Sequence, residues 1–369
     1  MMRPGAVLVS AALLISCGES ASGPTPNTEL DLSREWQTAS PASQDIDPAA
    51  IAGAINHAGG LPRILSLLVV RNGVLVVEQY FNGNHADSLN DGRSVTKSVM
   101  STLVGAALSK GLLTGLDTRL EALIPEQYLD QLTATKRAIT LRDLLTMSSG
   151  FEWHENDGVL PGNTEYNGWI QSADPVGYLL ARPLVTAPGT SFNYNTAGIH
   201  LLSVLLTTAT GPTLSSFARE ALWEPLGIQN RRWEIFPDST PNGGAGLRLR
   251  PRDFAKIGAL WLNNGSTGRV TVMDPSYVAA GTAPRFGYWK PAPQPLSSFG
   301  YGYSWWIART GHGDGFFAWG FGGQFIFVVP ARSLVVVVTT EWRGSGAQSS
   351  QLEANGLDLI VNHVLPAVH

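Results

Sequence analysis

Hydrophobic patterning along the chain changes period twice, and those changes divide it. The run "ILSLLVVRNGVLVVEQYF" (64–81) holds two apolar, β-branched segments joined at Asn72-Gly73, the dipeptide that best supports a tight hairpin turn. It predicts two strands buried on at least one face. Just before it, "DPAAIAGAINHAG" predicts a helix with Asp47 as N-cap and Pro48 in its first turn. From Ser94 to about Lys110 the apolar positions Val95, Val99, Leu103 and Ala107 recur every fourth residue and predict a helix ending before Gly111. Residues from about 111 to 310 mix short helices, loops and aromatics; "TLRDLLTMSSGF" and "LRPRDFAKIGALWLNNG" are the clearest helical pieces, each closed by glycine. Strand patterning returns in "FFAWGF", "GQFIFVVP" and "LVVVVTTEW", and a helix over about 347–364 closes the chain.

Strands at both ends and helices between them predict one antiparallel sheet pairing the N-terminal hairpin with the C-terminal strands. Terminal helices would cover one face and an inserted, mainly helical region (about 111–310) the other, with a cleft between sheet and insertion. No internal repeat stands out.

Composition narrows the partners. The chain has 369 residues, 44% of them hydrophobic, a formal charge of −4 and no lysine or arginine block, so nucleic acid is not an expected partner. The first residues change the picture more. Arg3 precedes the apolar stretch "AVLVSAALLIS", too short for a permanent membrane span. It runs into Leu14-Ile15-Ser16-Cys17 and then "GESASGPTPNTELDLS". This resembles a bacterial lipoprotein signal in which Cys17, the only cysteine in the chain, is acylated after cleavage. The expected organisation is a signal peptide over 1–16, a flexible tether over 17–44 and one folded domain over 45–366. The resemblance implies an extracytoplasmic, membrane-anchored protein facing the periplasm, and Gly18 hints at outer-membrane sorting. With one thiol there is no intramolecular disulfide.

The candidate chemistry begins at "GRSVTKSVMST" (92–102). Ser94 and Lys97 lie three residues apart, on one face of the predicted helix. Serine needs a base to become nucleophilic, and a lysine desolvated among apolar neighbours can serve. The helix start would add free amides and positive dipole for an oxyanion. Serine is also a good helix starter and lysine a good helix former, so a helix with a solvated lysine reads equally well from this stretch alone. The other lysines (Lys110, Lys136, Lys256, Lys290) have no serine three residues before them.

Further segments follow in order: "PGTSFNYNTAGIHLL", "LWEPLGI", "GLRLRPRDFAKIGALWLNNG", "YGYSWWI" and "AWGFGGQFIFVVP". With "SVTK" and "TLRDLLTMSSGF" they resemble the serine β-lactamase and penicillin-binding-protein-like hydrolases over about residues 50–365. The likeness is nearest to class C β-lactamase-related esterases and 6-aminohexanoate-dimer hydrolases. It implies the α/β (α+β) β-lactamase/transpeptidase-like fold and hydrolysis of an ester or amide through an acyl-enzyme. Ser94 would be the nucleophile, Lys97 its base and Tyr194 the second-motif tyrosine, its phenol kept easily ionised by the Lys97 cation. Without the resemblance Tyr194 reads as a core tyrosine ahead of an apolar helix.

The chain departs from that pattern in two places. Its second motif reads Tyr194-Asn195-Thr196, displacing the usual asparagine. Its third is taken as Gly320-Phe321-Gly322, with Trp319-Gly320-Phe321 the other register. No lysine follows Lys290, so the cation that meets a penicillin carboxylate is missing, and Arg343 is read as a surface charge. Asn195, Trp319, Gly320, Phe321 and Gly322 are expected to bind substrate, with Ser94 and Gly323 supplying oxyanion-hole amides; glycine placed there for strand packing alone is the other reading. These departures favour small esters, or linear or D-amino-acid amides, over β-lactams. Acylation without turnover by a β-lactam or cell-wall fragment is the alternative, and a surface interaction module that merely keeps the fold is a third. Trp153, Trp169, Trp289, Trp305, Trp306 and Trp319 are expected in the core or in an aromatic-walled cleft. No G-x-S-x-G elbow, phosphate-binding loop or convincing metal set is present, and no metal or organic cofactor is implied.

Overall fold

The computed structural model describes Met1 and residues 30–155, 164–211, 213–289 and 291–369. The signal segment and the expected lipidation at Cys17 lie outside the described residues. The strands are β1 (Ile64–Arg71), β2 (Val74–Tyr80), β3 (Asn90–Asp91), β4 (Arg231–Trp233), β5 (Leu247–Leu249), β6 (Phe286–Trp289), β7 (Ser298–Tyr301), β8 (Trp306–Arg309), β9 (Gly315–Gly320), β10 (Gln324–Val329) and β11 (Leu334–Thr340). Eight form one sheet in the order β2-β1-β11-β10-β9-β8-β7-β6, and β3-β5-β4 form a small second sheet.

The N-terminal hairpin does pair with the C-terminal strands. β1 lies antiparallel to β11, with Leu67 opposite Val338 and Val69 opposite Val336. Alternate residues face opposite sides. Leu68, Val70, Ile326, Val328, Val335 and Val337 join the core shared with the helical region. Leu67, Val69, Phe325, Phe327, Val336 and Val338 pack under the terminal helices. Both faces are covered, which is why β11 is continuously apolar rather than alternating.

Helix α1 (Pro48–Gly60) starts as expected, with Asp47 accepting from Ala49 and Ala50 amides. Helix α2 (Val95–Ser109) is buried from Val95 to Ala107. Its polar side chains are satisfied inside the core: Ser98 Oγ donates to the Ser304 carbonyl at 2.6 Å, and Thr102 Oγ1 accepts from Trp261 Nε1 at 2.8 Å. The Pro251–Leu262 helix lies directly on the sheet. A Cβ at Gly258 would come within 2.6 Å of Val335 Cγ1, so glycine permits that approach.

Two expected boundaries are corrected. The segment 30–44 is part of the folded body rather than tether. Leu32 is buried, its amide donates to the Thr267 carbonyl at 2.9 Å, and the backbones of Gln37 and Ala39 bond both ways with Leu75. Glu35 reaches Arg250 at 2.9 Å and Arg252 at 3.3 Å. Only isolated apolar residues make this contact, so no periodicity marked it. The helical insertion ends before Phe286, because β6, β7 and β8 extend the main sheet. Each is four residues long, too short for alternation to stand out from loop.

Candidate active site

The small sheet sets the head of α2. β3 pairs with β5, and the Gly92 amide donates to the Leu247 carbonyl at 2.9 Å. Arg93 follows with φ +48°, a left-handed conformation rare for a long side chain. Asp91 Oδ1 accepts the Arg93 amide at 2.9 Å, and Thr96 Oγ1 donates to the Arg93 carbonyl at 2.7 Å while accepting from the Leu247 amide at 3.2 Å. The local fold therefore holds the turn in this conformation.

Ser94 occupies the N-cap of α2 but its side chain makes no capping bond. Lys97 Nζ instead donates to Ser94 Oγ at 2.8 Å and to the Gly244 carbonyl at 2.7 Å. Lys97 is 2% exposed, which removes the solvated-lysine reading. Burial lowers its pKa to about 7; Glu155 opposes this and Arg93 assists it. A shift of that size corresponds to about 5 kcal/mol against the ammonium. Near neutral pH a large fraction of Lys97 is thus an amine, able to take the serine proton.

Tyr194 sits where the chain enters the Thr196–Thr210 helix, beside both residues. Its ring centroid is 5.0 Å from Lys97 Nζ, and it stacks on Trp306 at 6.1 Å. The Asn193 amide donates to the Met147 carbonyl at 2.7 Å, which fixes the approach. The expectation of an easily ionised phenol is corrected. Burial pushes Tyr194 well above its ordinary pKa, Glu155 adds to the rise, and the Ser94 hydroxyl offsets only part of it. The reason is shared desolvation: the pocket that neutralises Lys97 disfavours a phenolate as well.

Asn195 has a second role the sequence did not mark: it is buried and its Oδ1 accepts the Gly198 amide at 2.8 Å as the helix N-cap, while its Nδ2 makes no hydrogen bond. Thr196 is tied to Glu155 through its amide at 2.8 Å and through its hydroxyl at 2.5 Å.

In the third motif the backbone of Gly320 passes closest to the nucleophile loop. A Cβ there would fall 2.2 Å from the Gly92 carbonyl oxygen. The expected oxyanion donor Gly323 is corrected, because its amide closes the turn onto the Gly320 carbonyl at 3.1 Å. The Gly322 amide donates to Glu353 Oε1 at 2.9 Å. Phe321 is exposed, and the Trp319 ring packs with Phe317 and Phe325 but lies nearest to Trp306, at 5.6 Å, one ring behind the aromatic that stacks on Tyr194. Period-two alternation puts Trp319 and its neighbours on opposite faces.

Of the six tryptophans, Trp153, Trp169 and Trp305 are core. Trp306 stacks on the tyrosine, and Phe192 bridges it to Trp289, 6.0 Å from Trp306 and 4.8 Å from Trp289. Arg343 is exposed and pairs with Glu341 at 3.1 Å, as read from the sequence.

Gly244, Glu155 and Arg93 were not singled out in the sequence. Gly244 was foreshadowed only by the glycine-rich "PNGGAG" (241–246). Asn242 Oδ1 accepts both the Gly244 and Ala245 amides, at 3.0 and 3.2 Å, and so aims the Gly244 carbonyl at Lys97. A Cβ at Gly244 would meet Thr196 Cγ2 at 2.3 Å.

Comparison with known families bears on this constellation. The beta-lactamase family profile matches residues 63–358. The chain belongs to the beta-lactamase family. A lovastatin esterase of Penicillium rubens is 29% identical over 189 residues, 47% of this chain and 46% of that enzyme. The chain thus aligns with about half the length of that relative. A protein assigned as a 6-aminohexanoate-dimer hydrolase in Bacillus anthracis superposes with a TM-score of 0.66 at 20% identity, covering 83% of this chain and 80% of the other. EstCE1, a hydrolase with promiscuous acyltransferase activity, gives 0.63 at 17% identity, covering 84% and 99%. At those identities the two structures establish the shared fold. The family is of serine-hydrolase type, and the similar proteins named here include an esterase and two proteins named as hydrolases.

Proposed function

We propose that this beta-lactamase-family protein hydrolyses small esters, or linear or D-amino-acid amides, through an acyl-enzyme on Ser94. The observation that carries the reading is the 2.8 Å contact between Ser94 Oγ and a Lys97 that burial has brought to a pKa of about 7. Lys97 takes the hydroxyl proton as Ser94 Oγ bonds to the carbonyl carbon. The proton passes, with Tyr194 as relay, to the departing alcohol or amine. Water then attacks the acyl-serine and gives its proton to Lys97, which passes it to Ser94 Oγ as the acyl–oxygen bond breaks and the acid leaves. The oxyanion is held by the Ser94 amide and by one amide of the 320–323 turn. Since Gly322 and Gly323 amides are committed to Glu353 and Gly320, Phe321 N–H is the amide we assign. The esterase relative and the absent third-motif lysine both support esters over β-lactams.

Membrane attachment through acylated Cys17, with the enzyme facing the periplasm, is part of the same reading and rests on the segment 1–17. Cys17→Ser should abolish incorporation of an alkyne-tagged fatty acid into the protein; undiminished labelling removes the anchor.

The decisive experiment compares p-nitrophenyl butyrate hydrolysis by the wild type and Ser94→Ala. We expect steady turnover that falls by roughly a thousandfold or more in the variant. Equal rates in both overturn the assignment. A single burst with stable mass addition on Ser94 would instead favour the acylated, non-turning-over alternative.

A further inference from the structure

The residue before the nucleophile is a cation with no anion of its own. Among the described residues no carboxylate lies within 4.0 Å of the Arg93 guanidinium; Arg63, Arg71, Arg137, Arg231 and Arg332 lack one too, but each of these donates to a backbone carbonyl instead. The carboxylates around it are committed elsewhere. Asp91 faces Arg248 at 3.5 Å and accepts only the backbone amide of Arg93. Glu155 holds Thr196 and Trp153, Glu353 holds the Gly322 amide, and Glu341 holds Arg343. Arg93 Nε is buried and makes no hydrogen bond.

The guanidinium rests instead on the ring of Trp342, 4.1 Å from its centroid. Trp342 in turn meets the exposed Phe321 edge-on at 6.2 Å. The platform therefore joins the nucleophile loop to the third-motif turn, and the Arg93 charge is felt at both Lys97 and Tyr166. Beyond its buried Nε, the side chain is partly exposed and hydrogen-bonds Tyr166, while the turn at φ +48° adds backbone strain. A planar, partly exposed guanidinium fork beside the nucleophile suits a carboxylate.

We infer that Arg93 is a specificity residue that receives a carboxylate on the substrate, so that this site takes esters or amides bearing a free carboxylate near the scissile carbonyl. The inference rests on the acyl-enzyme reading above. It supplies from the nucleophile loop a cation that the third motif lacks.

The test measures kcat/KM for a neutral ester, p-nitrophenyl butyrate, and an anionic one of similar length, mono-p-nitrophenyl glutarate. The readout is the anionic-to-neutral ratio, because Arg93 also tunes Lys97 and any variant shifts both rates. We expect Arg93→Gln to lower the ratio about tenfold and Arg93→Lys to lower it less. For wild type, raising salt from 0.05 to 0.5 M should lower the rate on the anionic ester selectively. Equal losses on both esters in Arg93→Gln, or a wild-type ratio insensitive to salt, overturn the inference. Neutral-ester hydrolysis that survives Ser94→Ala would strike the acyl-enzyme reading itself, a different result from an unchanged ratio. Should Arg93→Gln fail to fold, the salt series on the wild type decides.

Discussion

Lys97 shows how one burial serves chemistry at the cost of stability. Between about pH 7 and the pKa of a free lysine, the unfolded chain binds a proton at Lys97 that the folded chain does not. The unfolded state binds more protons there, so stability from this group rises with pH across that window and stays at its lowest below pH 7. Two outcomes follow. Lys97→Met should abolish ester turnover yet raise the melting temperature at pH 6, since it removes a buried ammonium and keeps the volume. A variant that melts lower than wild type there would contradict the assignment of burial as the dominant cause. In the wild type, kcat/KM should climb with pH through about 7 as Lys97 loses its proton. A profile with no rise near pH 7 that climbs only above pH 10 would make Tyr194, not Lys97, the titrating group.

At the scale of elements, the site depends on three turns that bring backbone into contact: Gly92-Arg93-Ser94, Gly243-Gly244 and the Gly320–Gly323 turn. Each is held by a side chain: Thr96 of α2 for the first, Asn242 of the same loop for the second, and Glu353 of the Gly346–Asp358 helix for the third. Burial raises the Glu353 pKa while the Gly322 amide holds it down. Gly320→Ala should be the sharpest test. Its Cβ would fall 2.2 Å from the Gly92 carbonyl oxygen and must push the third-motif strand away from the nucleophile. We expect a loss of kcat of about a hundredfold, with ordinary circular dichroism. Near-wild-type turnover would show that this close approach does not position the oxyanion site.

For the whole molecule, the two ends of the chain assemble most of one sheet, and the middle supplies β6 to β8 together with Tyr194 and Gly244 beside the nucleophile. The segment 30–44 ties these parts together through Leu32 beside Thr267, Gln37 and Ala39 beside Leu75, and Glu35 between Arg250 and Arg252. Shortening the chain to begin at residue 45 should therefore cost at least about 2 kcal/mol, on Leu32 burial alone, read as a lower urea midpoint than for a chain beginning at residue 30. Equal midpoints would make 30–44 an ornament on an independent domain.

Long strands and helices were legible in the sequence because their apolar periods persist. Asn72-Gly73 marked the hairpin, Val95 to Ala107 marked α2, and the spacing of Ser94 and Lys97 placed both on one helical face. Strands of four residues such as β6 to β8 left no readable period, and the packed segment 30–44 offered only isolated apolar residues. What the spacing could not decide was environment. Whether Lys97 faces water or the core, whether Asn195 caps a helix or meets a ligand, and which face receives Trp319 all depend on residues far away in the chain. The same holds for the charge on Lys97 and the proton on Tyr194, since both follow from desolvation by elements that converge only when the sheet closes. Sequence determined which chemical groups stand one turn apart; the tertiary structure decided which of them are dry, because dryness belongs to the assembled surroundings and not to the residue.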